Sequence, residues 1–593
     1  MIIFNFIACG SLKRESVVRK KALKKTNIQI VAQFIFLFAI STHIYAQTIP
    51  LFFEGQKKLS ERELYSAINL EKPYLYQFYK KQPEVDIKSI ELLTQVIKNY
   101  YRTKGFYHTQ VSYAQKTGSV VISIQEHEAV HIESIEIDAK LNIASILPFV
   151  KNDLFDADAF SKSKKDIKLF YSKESYCNIS LDAKAYVDTQ KNSARLVYSV
   201  LANKLCYFNN IEVNTSQHID TNIARSLLYF DKGDLFSIEN IKKSYKNIYA
   251  YDGVSKALIE TVVDTNESVN IKFQIDENEK PVRFSVGFGI SSDEGLMGQM
   301  GVKHRNFYGN LKSLSLDARV TQVKQTLKTS FNMPLLYKDV TGVEVGLENE
   351  LFSGFSEYRL FATTYLTQRY IPHSFKESLV LDRSSTYEST DLTLFPENIL
   401  LVISPKLEWN YDIRDNILDP KNGYFLSSDI MGSMKSTISD ASYVKMKLAG
   451  AYLYPLKLST LGVKVNFGTL HIFDGAVPAS YRFFAGGMNS NRAYTYRNLG
   501  PKDSGGHPIG FDSISEATLE YRFDLNENFR AIIFSDNTFI GNSYLANYDR
   551  GYYSGGVGLR YLSPIGPIAL DVGFDLNNPS SQYAFHFHIG ELF

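Results

Sequence analysis

Long apolar runs are what this sequence most conspicuously lacks. Past residue 46, no stretch reaches the ~18 continuous apolar residues of a membrane helix. Mean hydropathy over the 593 residues is slightly polar, −0.17. A helical membrane protein is excluded, but a closed barrel is not, because its strands show only every second residue to lipid. Charge imbalance is missing too: a net +2 with 22% charged residues points to no nucleic-acid partner. There is no nucleophile elbow, phosphate-binding loop or H-E-x-x-H spacing, so no enzyme activity, cofactor or metal is expected. Cysteine is scarce, at three, and tryptophan occurs once. Against that single Trp stand 39 Tyr and 40 Phe, a supply that suits the aromatic girdles of a membrane barrel.

The N-terminus has the three-part layout of an export signal. Lys20-Lys21 and Lys24-Lys25 form a basic region, residues 28–40 are mostly apolar, and His43-Ile44-Tyr45-Ala46 ends in a small residue. Cleavage after Ala46 is expected, with residues 1–20 an extension from an upstream start. A transmembrane anchor would need a longer apolar run. Phe6-Ile7-Ala8-Cys9 resembles a lipoprotein box but has no basic and apolar region before it. An exported chain of this kind enters a membrane only as a closed barrel.

From about residue 48 to 280 the chain repeats with a period of roughly 75 residues. Each unit opens with a strand, continues with helical periodicity and closes with two alternating strands, a βααββ pattern. The openings His131-Ile132-Glu133-Ser134-Ile135-Glu136-Ile137 and Tyr207-Phe208-Asn209-Asn210-Ile211-Glu212-Val213 resemble one another. Gly105 and Gly253 follow helical segments and are expected to cap them in the left-handed conformation. The second unit has Lys173-Glu174-Ser175-Tyr176 at that place, so its helix must end differently. The pattern, with Gly-Phe-Tyr at Gly105 and Asp-Leu-Phe at Asp153 and Asp234, resembles the polypeptide-transport-associated (POTRA) domain. Three copies are expected, at 47–128, 129–203 and 204–280, and their exposed sheet edges would receive a partner or substrate strand. Cys177 and Cys206 fall on either side of a hairpin in the second unit. They are either a disulfide of an oxidising compartment or two small buried apolar groups, and the sequence leaves both open.

From residue 281 the pattern changes. Val282, Phe284, Val286, Phe288 and Ile290 alternate with Arg283, Ser285, Gly287 and Gly289; at the other end Tyr583, Phe585, Phe587 and Ile589 alternate with His586, His588 and Gly590. Apolar residues facing out and polar or small residues facing in is the arrangement of a membrane barrel, and residues 281–593 leave room for about 16 antiparallel strands. One stretch, residues 482–501, does not alternate. Rich in Gly, Asn and Arg, it reads as a long loop folded into the lumen, where its Arg requires a carboxylate.

Four motifs then occur in a fixed order: Arg414-Asp415-Asn416 with Pro420 and Gly423; Gly486-Gly487 through Arg492-Ala493-Tyr494; Gly556-Val557-Gly558-Leu559-Arg560-Tyr561; and Phe587-His588-Ile589-Gly590-Glu591-Leu592-Phe593. Together they resemble the BamA/TamA superfamily of outer-membrane insertases. Three POTRA-like units and the Gly-Gly-x-Asn-Ser before the Arg look most like its TamA branch. The resemblance implies that Arg492 meets Asp536, within Phe534-Ser535-Asp536-Asn537-Thr538. It also implies a seam between residues 282–292 and 583–593 that opens laterally, with Val282 and Phe284 on one side and Phe587, Gly590 and Phe593 on the other. Two departures stand out: Thr538 replaces a family Gly, and Ala493 replaces the Gly of R-G-[YF], which would be strained if that position needs a positive φ. Implied partners are the outer-membrane bilayer, unfolded β-barrel or autotransporter-like substrates and a TamB-like periplasm-spanning protein. A two-partner secretion pore and a passive porin are the rival readings.

Overall fold

The computed structural model describes residues 2–4, 48–73, 81–264, 267–335, 339–456, 459–526, 528–563 and 566–589. The basic region, apolar run and Ala46 of the expected export signal lie outside them. So do Gly590 and Phe593. The chain forms two compact units: residues 7–206, and residues 207–593 together with the first six. A short strand, β1 (Ile2–Phe4), opens the chain.

The smaller unit contains two α/β sheets. In the first, β2 (Thr48–Glu54), α1 (Glu61–Ala67), β3 (Glu84–Asp86), α2 (Ile90–Thr103), β4 (Gln110–Lys116) and β5 (Ser119–Gln125) make a sheet ordered β3-β2-β5-β4. Ser60 and Glu63 form a capping box at the start of α1. The buried positions of α2 (Ile90, Thr94, Ile97 and Tyr101) recur at helical spacing and pack on Leu51, Phe53, Val120 and Ile122. Gly105 follows with φ +87°, and a Cβ there would lie 2.5 Å from the Phe155 carbonyl oxygen.

The second sheet holds β6 (His131–Ala139), α3 (Ala157–Lys173), β7 (Ile179–Asp188) and β8 (Ser193–Ala202), in the order β6-β8-β7. It departs from βααββ, because a single 3₁₀ turn at Ala144–Ile146 stands where the first helix was expected. Helix α3 ends at Lys173, and Ser175 takes the left-handed conformation, φ +66°. Ser175 thus does here what Gly105 does in the first sheet. Cys177 and Cys206 form a disulfide with their Cα atoms 5.8 Å apart.

The larger unit begins with a third sheet: β9 (Tyr207–Thr215), α4 (Thr221–Ser226), α5 (Ile238–Ile248), β10 (Val254–Val263) and β11 (Ser268–Glu277), ordered β10-β11-β9. Gly253 is not the left-handed cap the sequence implied, since its φ is not positive. It is required for another reason: a Cβ there would meet the Arg305 carbonyl oxygen at 2.6 Å.

Sixteen strands follow: β12 (Val282–Ser291), β13 (Gly295–His304), β14 (Ser313–Val320), β15 (Lys324–Pro334), β16 (Val340–Leu351), β17 (Ser356–Tyr370), β18 (His373–Tyr387), β19 (Ile399–Asp412), β20 (Gly423–Ser433), β21 (Ala441–Pro455), β22 (Ser459–Gly475), β23 (Ser513–Asp524), β24 (Phe529–Gly541), β25 (Gly551–Ser563), β26 (Gly566–Asp575) and β27 (Tyr583–Ile589). Each is antiparallel to the next, and β1 pairs with the remaining edge of β12, Ile2 opposite Phe288 and Phe4 opposite Val286. Alternation decides which face is which. Phe284 and Phe288 of β12 are 64% and 68% exposed, whereas His586 and His588 of β27 are buried. The strands therefore form a barrel with an apolar exterior and a polar lumen. At the end adjoining the third sheet, the near end, Tyr370, His373, Phe375, Trp409, Tyr411 and Tyr424 form a continuous band of rings. Such bands mark the interface between lipid and water.

Candidate functional site: the lumen loop and the seam

The loop between β22 and β23 leaves the far end of the barrel and turns back into the lumen. Gly486 and Gly487, with φ of +99° and +106°, make that reversal, and a Cβ on Gly487 would lie 2.6 Å from Asp293 Oδ2. The loop places Arg492, fully buried, against the inner wall. Its Nε donates to Asp536 Oδ2 and its Nη2 to Asp536 Oδ1, both at 2.9 Å, which is a bidentate pair. The Arg492 backbone N–H adds a third bond to Asp536 at 3.1 Å.

Asp536 is not the whole partner set. Nη1 also donates to Glu520 at 3.1 Å and to Asp571 at 3.3 Å, and the guanidinium lies 3.3 Å above the centre of the Phe534 ring. Glu520 accepts from Arg522 at 2.8 Å, and Asp571 accepts from Arg560 at 3.0 Å. Three guanidiniums thus meet three carboxylates in a space that excludes water. That balance matters, because a buried charge is tolerated only when opposed and hydrogen-bonded. Arg522 also donates to the Pro420 carbonyl at 3.1 Å. The near-end turn that starts at Arg414 is therefore tied to the far-end loop through Arg522, Glu520 and Arg492. Within that turn Asp415 accepts from the backbone N–H groups of Asn416, Lys421 and Asn422. Burial works to raise its pKa, but these bonds outweigh it and hold the carboxyl below its ordinary range.

Ala493, fully buried, does not adopt a positive φ, so the expected strain is absent. Its carbonyl accepts from Gln582 at 2.8 Å. Tyr494 donates to Asp575 at 2.6 Å. Thr538 lies in regular strand register, and its hydroxyl faces the Asn491 amide at 3.4 Å. A residue that sequence reasoning missed is Gly573, where a Cβ would come within 2.2 Å of the Arg492 carbonyl oxygen. The loop can lie this close to β26 only because that side chain is absent.

The seam lies beside the loop. Val282 and Phe284 of β12 and Phe587 of β27 all face outward. Among the described residues, the two strands share one backbone hydrogen bond, from Ser292 N–H to the Phe587 carbonyl at 3.2 Å. The loop contacts both sides of it. Met488 N–H donates to Asp293, just after β12, at 3.0 Å, and His586 of β27 lies 3.1 Å from the Arg492 carbonyl, to which its Nε2–H donates.

A sixteen-stranded barrel with a long loop ion-paired inside it, preceded by small α/β sheets, defines a class of outer-membrane protein. The family comparisons make it specific. Residues 306–593 match the Omp85 superfamily domain, and residues 206–278 match the POTRA domain, the surface antigen variable number repeat. The outer membrane protein assembly factor BamA of Nitratidesulfovibrio vulgaris is 21% identical over 583 residues, covering 91% of this chain and 72% of that protein. BamA of Neisseria meningitidis is 19% identical over 634 residues, covering 92% and 78%. The structure of Haemophilus ducreyi BamA lacking POTRA domains 1–3 shares the fold with a TM-score of 0.55 at 18% identity, covering 78% of this chain and 99% of that one. The chain belongs to the BamA/TamA superfamily, with its barrel in the outer membrane and its POTRA region in the periplasm.

Proposed function

We propose that this protein assembles other proteins into the outer membrane, receiving unfolded β-barrel or autotransporter-like chains in the periplasm and releasing them at the β12–β27 seam. The observation that carries this reading is the seam itself. Every other neighbouring pair of barrel strands shares a hydrogen-bonded ladder, whereas among the described residues this pair shares a single backbone hydrogen bond, at Ser292. An unpaired edge is a template for another strand, and β1, which cleavage after Ala46 would remove, pairs with three positions of it. The loop, bonded to both sides, couples Arg492 to seam closure. Among the small sheets, the edges β3, β4, β6, β7, β9 and β10 offer further strand-addition sites. Three soluble units ahead of the barrel favour the TamA branch, and with it a TamB-like partner. The names of the relatives favour insertion over a two-partner secretion pore.

Oxidative crosslinking of a Ser292→Cys, Phe587→Cys variant tests this. The locked barrel is expected to keep its heat-modifiable gel mobility while other barrels disappear from the outer-membrane proteome. Normal levels of those barrels with a fully locked seam would overturn lateral release. Loss of one secreted protein alone would favour the secretion pore.

A further inference from the structure

The third sheet closes over the near-end mouth of the barrel and leaves a cavity of about 200 Å³ there. Its roof is the loop after α5, carrying Tyr251 and Asp252, and its walls are strand ends of β13 to β17. Cross-strand register places the wall side chains on the lumen face. Arg283 of β12 is inward and stands opposite Lys303, and Arg305 follows Lys303 with the same parity. On β17, Tyr370 is exposed on the outside, so Arg369 points in.

One carboxylate, Asp252, stands among these cations. Lys303 is paired with Asp252 at 2.7 Å. Arg305 and Arg369 make no ion pair among the described residues, and Asp339, in the turn between β15 and β16, pairs with neither. Arg305 Nε and Arg369 Nη1 are buried without an acceptor, and so is the hydroxyl of Tyr251, a residue only 8% exposed. The Arg369 guanidinium lies 5.3 Å from the centre of the Tyr251 ring, and Arg305 lines the same cavity. Buried donors almost always have partners in native proteins, and three orphans lining one polar cavity call for a single acceptor with several oxygens. A carboxylate or phosphate fits that requirement, because its oxygens can accept from a guanidinium fork and a hydroxyl together.

We propose that Tyr251, Arg305 and Arg369 bind an oxyanion, a carboxylate or phosphate group, in the barrel mouth beneath the third sheet. Occupancy would fasten the third sheet to the barrel, since Tyr251 belongs to one and the arginines to the other.

Calorimetric titration of the full-length protein in detergent tests the site in two arms at fixed ionic strength, with chloride as background. One arm uses inorganic phosphate. The other uses a short uncharged peptide with a free C-terminal carboxylate, against its C-terminal amide. Saturable binding is expected in at least one arm, weakened about tenfold or more in Arg305→Gln and in Arg369→Gln, the loss typical of one charge-assisted hydrogen bond. Binding of phosphate alone identifies a small-anion site. Binding of the free-acid peptide but not its amide identifies a polypeptide terminus. Should either arginine variant lose heat-modifiable mobility, Tyr251→Phe, which removes only the hydroxyl, decides by the same weakening. Absence of saturable binding in both arms, or undiminished binding in correctly folded variants, overturns the proposal.

Discussion

At the level of single residues, Arg492 has more partners than its motif implies, and this sets the order of mutational effects. Arg492→Ala strands Glu520, Asp536 and Asp571 against only Arg522 and Arg560. Loss of about 3–5 kcal/mol is expected, the range for breaking a buried pair on one side. Asp536→Asn should be the more damaging of two carboxylate changes, because Asp536 accepts three bonds from Arg492 and Asp571 one. Gly573→Ala should expel the loop without touching a charge, whereas Gly298→Ala, with open space around it, should be silent. Protease accessibility of residues 482–501, with heat-induced gel mobility, orders these variants; equal behaviour of Gly573→Ala and Gly298→Ala would contradict the close approach. The Arg492–Asp536 pair was legible because both residues sit in recognisable motifs. Glu520, Asp571, Gly573 and His586 were not, because they converge from β23, β26 and β27 through a cross-strand register that alternation alone does not specify.

Among the elements, the strands of both halves were legible from period-two alternation, which burial on one face enforces. The helices of the second unit were less so. Its first helix shrinks to a 3₁₀ turn at Ala144–Ile146, a stretch of Ala, Ser and Ile with no long amphipathic stripe. Its second is closed by Ser175, in a conformation that sequence assigns by habit to Gly. That junction is also stapled. Cys206 donates its backbone N–H to the Ser175 carbonyl at 2.9 Å and is disulfide-bonded to Cys177, 29 residues away in sequence. A crosslink closing a loop of that length restricts the unfolded chain by roughly 3–4 kcal/mol. Replacing both cysteines with alanine should therefore lower the urea midpoint of the 7–206 unit within the full chain, while barrel mobility on gels stays unchanged. An unchanged midpoint would mean the bond restrains nothing.

For the whole molecule, the loop and its charge cluster occupy the lumen, while the near-end mouth is roofed by the third sheet. A passive porin has no use for either. The intact protein should consequently show little steady conductance in a planar bilayer, and deletion of residues 486–498 should open a persistent channel. A large stable conductance from the intact chain would instead favour a pore. The overall architecture was legible because barrel and soluble repeats carry different periodicities. The lock between the ends of the barrel was not: it runs from Pro420 through Arg522 and Glu520 to Arg492, residues more than seventy positions apart at its limits, and only the closed barrel brings them into line.

The band of rings at the near end also supplies a spectroscopic handle. Trp409, the sole tryptophan, donates its indole N–H to His373 Nδ1 at 3.2 Å from an adjacent strand. Because no second indole contributes, the indole fluorescence of the native chain comes from one position, on β19 in the near-end ring band. A blue shift during refolding into vesicles would time the moment at which β18 and β19 leave water. Quenchers tethered at different lipid depths would then measure how far the near end of the barrel lies from the bilayer centre.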